Sequence, residues 1–280
     1  MLPVKKIYID SKARTNDSKS TTNLSIDLIE RLPMPEDATF IVADIIIPHT
    51  WYLISPDQNR SLYVKEDLGG GQSGQYLYEL EIPAGSYDGP SLEAAISNAL
   101  NHATPALQFT YTVHWNPVTE TINIIPDSSV NGSPKMFRIL TDNDVNTAFV
   151  SNFGKQAPSQ INALLGNVGI SKENTITSPY KSQRVDFNTI KYLFLKSPNL
   201  GTFRTLGSFG ERTVIKKIPV TAGQGQMILD DVRSGMDTLD CSKQSLKRLE
   251  FQLTDERGNE VDLHHHDISF SLIFNIQAPQ

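Results

Sequence analysis

The chain has 280 residues, 39% hydrophobic and 20% charged, enough for one large domain or two modest ones with their own cores. Its 31 acidic and 25 Lys or Arg residues leave a formal charge of -6, which argues against a protein whose main task is coating nucleic acid, and no apolar run approaches the roughly 18 residues of a membrane-spanning helix. The lone cysteine, Cys241, excludes an intrachain disulfide and a cysteine-based zinc site and suits assembly in a reducing compartment, while Met1 to Lys6 lacks the apolar stretch of a secretory leader.

In chain order, strands are predicted at Lys6 to Asp10, Asn23 to Glu30, Thr39 to Ile47 and Ser61 to Lys65. The run Phe40 to Ile47 is apolar at both phases, so it predicts a strand covered on both faces and closed by Pro48. Gly69 to Gly74 predicts a flexible linker. The only convincing helix runs from Pro90 to Leu100, with Pro90 in the first turn, Glu93 at the positive end and Leu92, Ala95, Ile96, Ala99 and Leu100 as its apolar stripe. A hairpin follows: Phe109, Tyr111, Val113 and Trp115 alternate with polar residues, Asn116 to Thr119 turns, and Ile122 and Ile124 return. This β-α-β-β unit, with Phe137 to Leu140 and a loop-rich stretch to Ser178, predicts a compact insertion over residues 75–178. Further strands are expected at Arg184 to Leu195 and Thr213 to Ile218. Leu249, Phe251 and Leu253 alternate before a turn at Asp255 to Asn259 that leads into Val261 and Leu263. In the final strand Ile268, Phe270, Leu272, Phe274 and Ile276 share one face.

Without the insertion, about eight strands remain and no crossover helices, which is the arithmetic of a jelly roll. The expected fold class is all-β, a single jelly-roll β-sandwich over residues 1–74 plus 179–280, interrupted by a small α+β insertion domain.

Candidate chemical sites are sparse. In a strand only His264 and His266 of the His264-His265-His266 triplet share a face, and no third metal ligand can be placed, so a partly exposed strand edge is the preferred reading. Asp230 to Asp240 lacks the ligand order and final Glu of a calcium loop and is read as a solvated loop. The glycine cluster lacks the Gly-Lys-Ser/Thr ending of a phosphate loop, Cys241 has no neighbouring histidine, and no Gly-x-Ser-x-Gly elbow occurs. No catalytic, cofactor-binding or metal residue is assigned, and no enzyme is expected. Lys5, Lys6, Lys12, Arg14 and Lys19 form a basic N-terminal segment read as a solvated arm, able to touch a phosphate backbone or an acidic neighbour. Trp115, Tyr111 and Tyr87 offer either a glycan-stacking platform or a small core.

Four collinear segments add a resemblance. Ile7 to Arg14, Ala43 to Tyr52, Val214 to Val220 with Gly225 and Met227, and Leu249 to Leu263 followed by Asp267 to Phe274 resemble the penton (minor capsid) proteins of virophages, Polinton-like elements and adenovirus-like double-stranded DNA viruses. The middle unit, from Ile82-Pro83-Ala84-Gly85 to Leu164-Leu165-Gly166, resembles modules inserted in capsid and appendage proteins of large DNA viruses. The resemblance implies a vertical single jelly roll, a homopentamer at each fivefold vertex among major capsid proteins with double jelly rolls, an outward insertion with a host-cell receptor as its candidate partner, and a place in the virion capsid after synthesis in host cytoplasm. It implies no cofactor. The alternative is a vertex-associated fibre, cement or glycan-binding attachment protein. Arg257-Gly258-Asn259 stands nearest to the Arg-Gly-Asp that some adenovirus pentons present to receptors. The pentamer interface is expected to involve the loops at Arg204 to Arg212 and Gly223 to Asp240.

Overall fold

A computed structural model describes residues 4–56, 58–67, 75–127, 136–141, 144–145, 161–166, 179–200, 205–206, 210, 212–231 and 237–276. Its strands are β1 (Val4–Asp10), β2 (Asn23–Pro33), β3 (Thr39–Pro48), β4 (Ser61–Asp67), β5 (Gln75–Glu81), β6 (Tyr111–Asn116), β7 (Thr121–Pro126), β8 (Met136–Ile139), β9 (Tyr180–Lys181), β10 (Tyr192–Lys196), β11 (Val214–Pro219), β12 (Met227–Asp230), β13 (Leu239–Asp240), β14 (Ser245–Thr254) and β15 (Ser269–Asn275). The α-helix α1 (Gly89–Asn101) lies between β5 and β6. The chain divides into two compact units, residues 1–51 with 190–280, and residues 52–189.

The first unit is two antiparallel sheets, β1-β15-β3-β12 and β11-β10-β14-β2, with the two-residue β13 continuing the β12 edge along β3. With β12 and β13 counted as one strand, the unit has eight. The first sheet then holds the first, eighth, third and sixth, and the second the fifth, fourth, seventh and second. This is the jelly-roll connectivity: every consecutive pair except the fourth and fifth crosses between sheets, and the last two strands return to the middle of each. The expected single jelly roll is therefore present.

Its core follows from period-2 burial. Ile268, just before β15, and Phe270, Leu272 and Phe274 within it are buried in one core with Leu249, Phe251 and Leu253 of β14; Phe251 and Phe270 pack edge to face at 4.8 Å. The β3 run departs from expectation. Ser271 pairs with Asp44 but Leu272 with Val42, so Ala43 is a one-residue bulge. The phase flips there: Phe40 and Val42 face the core before it, Ile45 and Ile47 after it. The opposite face is not covered, since Ile41 and Asp44 are half-buried and Ile46 is exposed. Two amphipathic stretches of opposite phase thus read as one doubly apolar strand.

The second unit contains β5-β4-β8, β6-β7-β9 and α1 around their own core. Asp88 caps α1, its carboxylate accepting from the Ser91 amide at 2.9 Å while Ser91 Oγ accepts from the Asp88 amide. Leu92, Ile96 and Leu100 are buried as the stripe predicts. The insertion limits expected at 74/75 and 178/179 move to 51/52 and 189/190. Ser61–Asp67 pairs with β5 and β8, Asp67 lying opposite Gln75, so β4 joins the second unit. Residues 69–74 lie outside the described residues. The strand expected at Arg184 to Leu195 shortens to Tyr192–Lys196, and Val185 belongs to the second core.

Candidate assembly surfaces

The four segments that carry the resemblance all lie in the first unit, apart from Tyr52, and come together there. β1 pairs with β15 from Val4 opposite Asn275 to Asp10 opposite Ser269. Beyond that ladder the fully buried Ser11 donates its hydroxyl to Asp267 Oδ1 at 2.6 Å, accepts from the Ile268 amide at 3.1 Å, and its carbonyl accepts from Arg14 Nη1 at 3.0 Å. The third segment joins the second through the His49 amide donating to Gln226 O and the Gly225 amide donating to His49 O. His49 stacks on Trp51 at 4.0 Å. In the fourth, Asp255 caps its own turn by accepting from the Arg257 and Asn259 amides, and Glu260 accepts from Ser20, Thr22 and Asn23.

The basic N-terminal segment is not an arm. Residues 4–10 form β1, Lys6 lies 3.6 Å from Asp44 and over the Tyr8 ring, and Arg14 is held at Ser11 and Asp267. The histidine triplet is not a strand edge either. His264 and His265 have φ of 52° and 66°, so the chain turns there, and Val261 and Leu263 pack into the core as loop residues rather than strand. His264 Nδ1 lies 3.0 Å from Thr50 O and His266 Nδ1 2.9 Å from Leu263 O, so each imidazole has a backbone carbonyl partner. Among the described residues no three His, Cys, Asp or Glu side chains are grouped to hold a metal. Burial pushes the Cys241 thiol up to about 12, with Asp240 adding to the shift. The stretch Asp230 to Asp240 splits: Asp230 belongs to β12 and Asp240 to β13, while residues 232–236 lie outside the described residues.

The aromatic trio is packed, not displayed as a platform. Tyr111 is buried with its hydroxyl on Glu66, and Tyr87 donates to Pro83 O. The Trp115 ring covers Gly89, where an added Cβ would meet the indole at 2.1 Å. Glu93, expected only to favour the helix dipole, accepts from the Trp115 amide at 2.6 Å and so ties α1 to the hairpin.

What the first unit does display is an apolar sheet face that sequence reading missed. The ladders place Leu229 beside Ile46, Ile46 beside Ser269 and Tyr8 beside Ser271, all on the side of the first sheet away from the core. On that face Tyr8 is 75% exposed, Leu229 67%, Met227 51%, Val4 47% and Ile46 37%. The outer face of the second sheet contrasts with it. There Arg248 pairs with Asp17 and with Glu250, and hydrogen bonding from Thr15 and then Arg248 holds Asp17 below the usual carboxylate range. The Lys6–Asp44 pair lies among the apolar residues of the first sheet, so that face is mixed, with its exposed apolar side chains at Tyr8 and Val4 on β1 and at Ile46, Met227 and Leu229 across β3 and β12. The signal available in the sequence was Met227-Ile228-Leu229, a short run of large apolar residues within a stretch read as loop.

No family model and no curated protein matches the chain. The solved crystal structure of the mavirus penton protein does match in three dimensions, with a TM-score of 0.52 and 11% identity, covering 97% of this chain and 99% of that one. The shared property at that identity is the fold, over both units and in the same chain order.

Proposed function

We propose that the chain is a structural virion protein, the penton subunit of an icosahedral capsid, which forms homopentamers that close the fivefold vertices. The observation that carries this reading is the likeness to the mavirus penton protein over nearly the whole of both chains, which leaves no large part of either unaccounted for. The jelly roll supplies the shell-forming body, and residues 52–189, inserted between its third and fourth strands, form the outward module that presents a surface to a host-cell receptor. The exposed face of Tyr8, Ile46, Met227 and Leu229 is the surface that the surrounding shell covers, in this reading a major capsid protein with a double jelly roll. No enzymatic step and no cofactor are assigned, and the basic residues of β1 serve the fold before any genome contact.

The test is coexpression with such a major capsid protein, followed by negative-stain microscopy and mass measurement of the assemblies. Rings of five, or fivefold density filled only when this chain is present, are expected. Stable monomers or trimers under every condition would refute the penton reading and favour a fibre or cement protein. Leu229→Glu should lower incorporation into capsids without changing the melting temperature, because that side chain is exposed in the isolated subunit.

A further inference from the structure

The two edges of the jelly roll are unlike. Along β2, Asp27 pairs with Arg248 and Leu32 with Leu246, so the four residues Leu28 to Arg31 stand opposite the single residue Lys247. The excess chain must leave the ladder, and Lys247 pins its base by donating to the carbonyls of Leu28 and Ile29 at 2.6 and 2.9 Å. Ile29 on this excursion is 98% exposed, between the exposed Glu30 and half-buried Leu28, with the exposed Arg31 following. A β-branched apolar side chain held almost wholly in water by a pinned backbone is a ready-made knob.

The opposite edge has a hole. Among the described residues, a cavity of about 420 Å³ lies where β11 of the second sheet faces β12 and β13 of the first. Val42, Ile215 and Leu239 give it apolar walls, and Lys217 and Asp237 are its exposed charged residues. The ion pair Lys216–Asp230, 3.3 Å long and nearly buried, spans the two sheets within it. Knob and hole sit on opposite edge strands of the same sheet, β2 and β11.

We infer that Ile29 of one subunit enters the β11/β12 cavity of the next, with Glu30 facing Lys217 and Arg31 facing Asp237. The occupant is a second copy of this chain. The knob matches the apolar part of the wall, Val42, Ile215 and Leu239, and its flanking charges are opposite in sign to Lys217 and Asp237. Because the two patches differ and lie on opposite edges, each contact leaves a free knob and a free hole, and repetition closes a ring or runs on. This inference rests on the pentamer reading and adds its contact. It leaves the apolar face of β1-β15-β3-β12 for the surrounding shell.

Two variants of the full chain test it, assembled as described above. Ile29→Asp should weaken subunit association about thirtyfold or more, the loss of a central apolar anchor, with unchanged circular dichroism and melting temperature. Ile29→Cys with Asp237→Cys, oxidised and run on a non-reducing gel, should give a covalent ladder continuing past the dimer to five, because a head-to-tail contact links every subunit to two others. Pentamers undiminished by Ile29→Asp, or a ladder that stops at the dimer, would overturn the knob and leave the penton standing. A wild-type chain that forms no ring, alone or in capsids, would overturn both.

Discussion

Glu66 is the sharpest test of the second unit's energetics. Its side chain is fully buried and accepts from the Gln108 amide on Oε2 at 2.9 Å, and from the Phe109 amide and the Tyr111 hydroxyl on Oε1 at 3.2 and 2.5 Å. Burial first, and then this hydrogen bond, hold the Tyr111 phenol protonated far above its ordinary range, so its O–H is available to donate to Glu66. Glu66→Gln keeps the Oε1 bonds but sets an amide NH₂ against the Gln108 N–H, leaving one buried donor without an acceptor at about 1–3 kcal/mol. Glu66→Leu orphans all three donors, on the order of 3–9 kcal/mol before credit for a carboxylate no longer desolvated, which is comparable to the whole stability of a domain. The expected order is wild type, Gln, Leu. Because two units need not melt together, the assay is hydrogen exchange by mass spectrometry on peptides covering residues 105–113, read beside a urea transition. Protection there should fall about tenfold or more in Glu66→Gln and collapse in Glu66→Leu. Unchanged protection in Gln together with a more stable Leu variant would show that the three donors had other partners, and would refute the reasoning.

Gly89→Ala should cost about 1–3 kcal/mol or more and shift the near-ultraviolet signal of Trp115, since the new methyl must displace the indole; a neutral result would mean the helix start moves freely. Lys216→Met removes the ion-pair partner of the buried Asp230 and should destabilise by up to about 3–5 kcal/mol, while adding Asp230→Leu should recover part of it; equal unfolding midpoints for all three proteins would contradict a coupled pair. Hydrogen bonds from the Ser91 side chain and amide hold Asp88 below its ordinary 3.8, so its contribution is present above pH 3.8 and lost as pH falls through the lowered value; a carboxyl titration at or above 3.8 by NMR would remove the cap's electrostatic role.

The sequence showed strands best where one face is buried and the phase is unbroken. β15 is such a strand, and its inward residues are the ones the alternation picked. Helix α1 was legible because its start is local chemistry, with Pro90 inside the first turn and its stripe in register. The bulge at Ala43 was not legible, because an extra residue in a uniformly apolar run leaves no mark on composition. β12 escaped notice for a long-range reason: of its two inward residues, Ile228 and Asp230, the second is acidic and meets Lys216, fourteen positions earlier on the facing sheet. The exposed apolar face was hidden for the same reason, since Ile46 and Leu229 become neighbours, and share a face with Tyr8, only through the pairing of distant strands. The unit boundary misled because Ser61 to Lys65 reads clearly as a strand, while the partner it chooses is written elsewhere.

The pairing of β1 with β15 carries a consequence for synthesis. β15 is not an edge but the centre of its sheet, between β1 and β3, and β14 lies likewise between β10 and β2. On the ribosome, residues 1–51 must therefore wait for the last strands, while residues 52–189 form a continuous stretch whose partners are all made early. The inserted unit would fold first, and the jelly roll would close in a late, slow step dominated by distant contacts. Until then neither sandwich edge exists, so an unfinished chain offers neither half of the proposed subunit contact. Order of synthesis would keep nascent copies apart until each is complete.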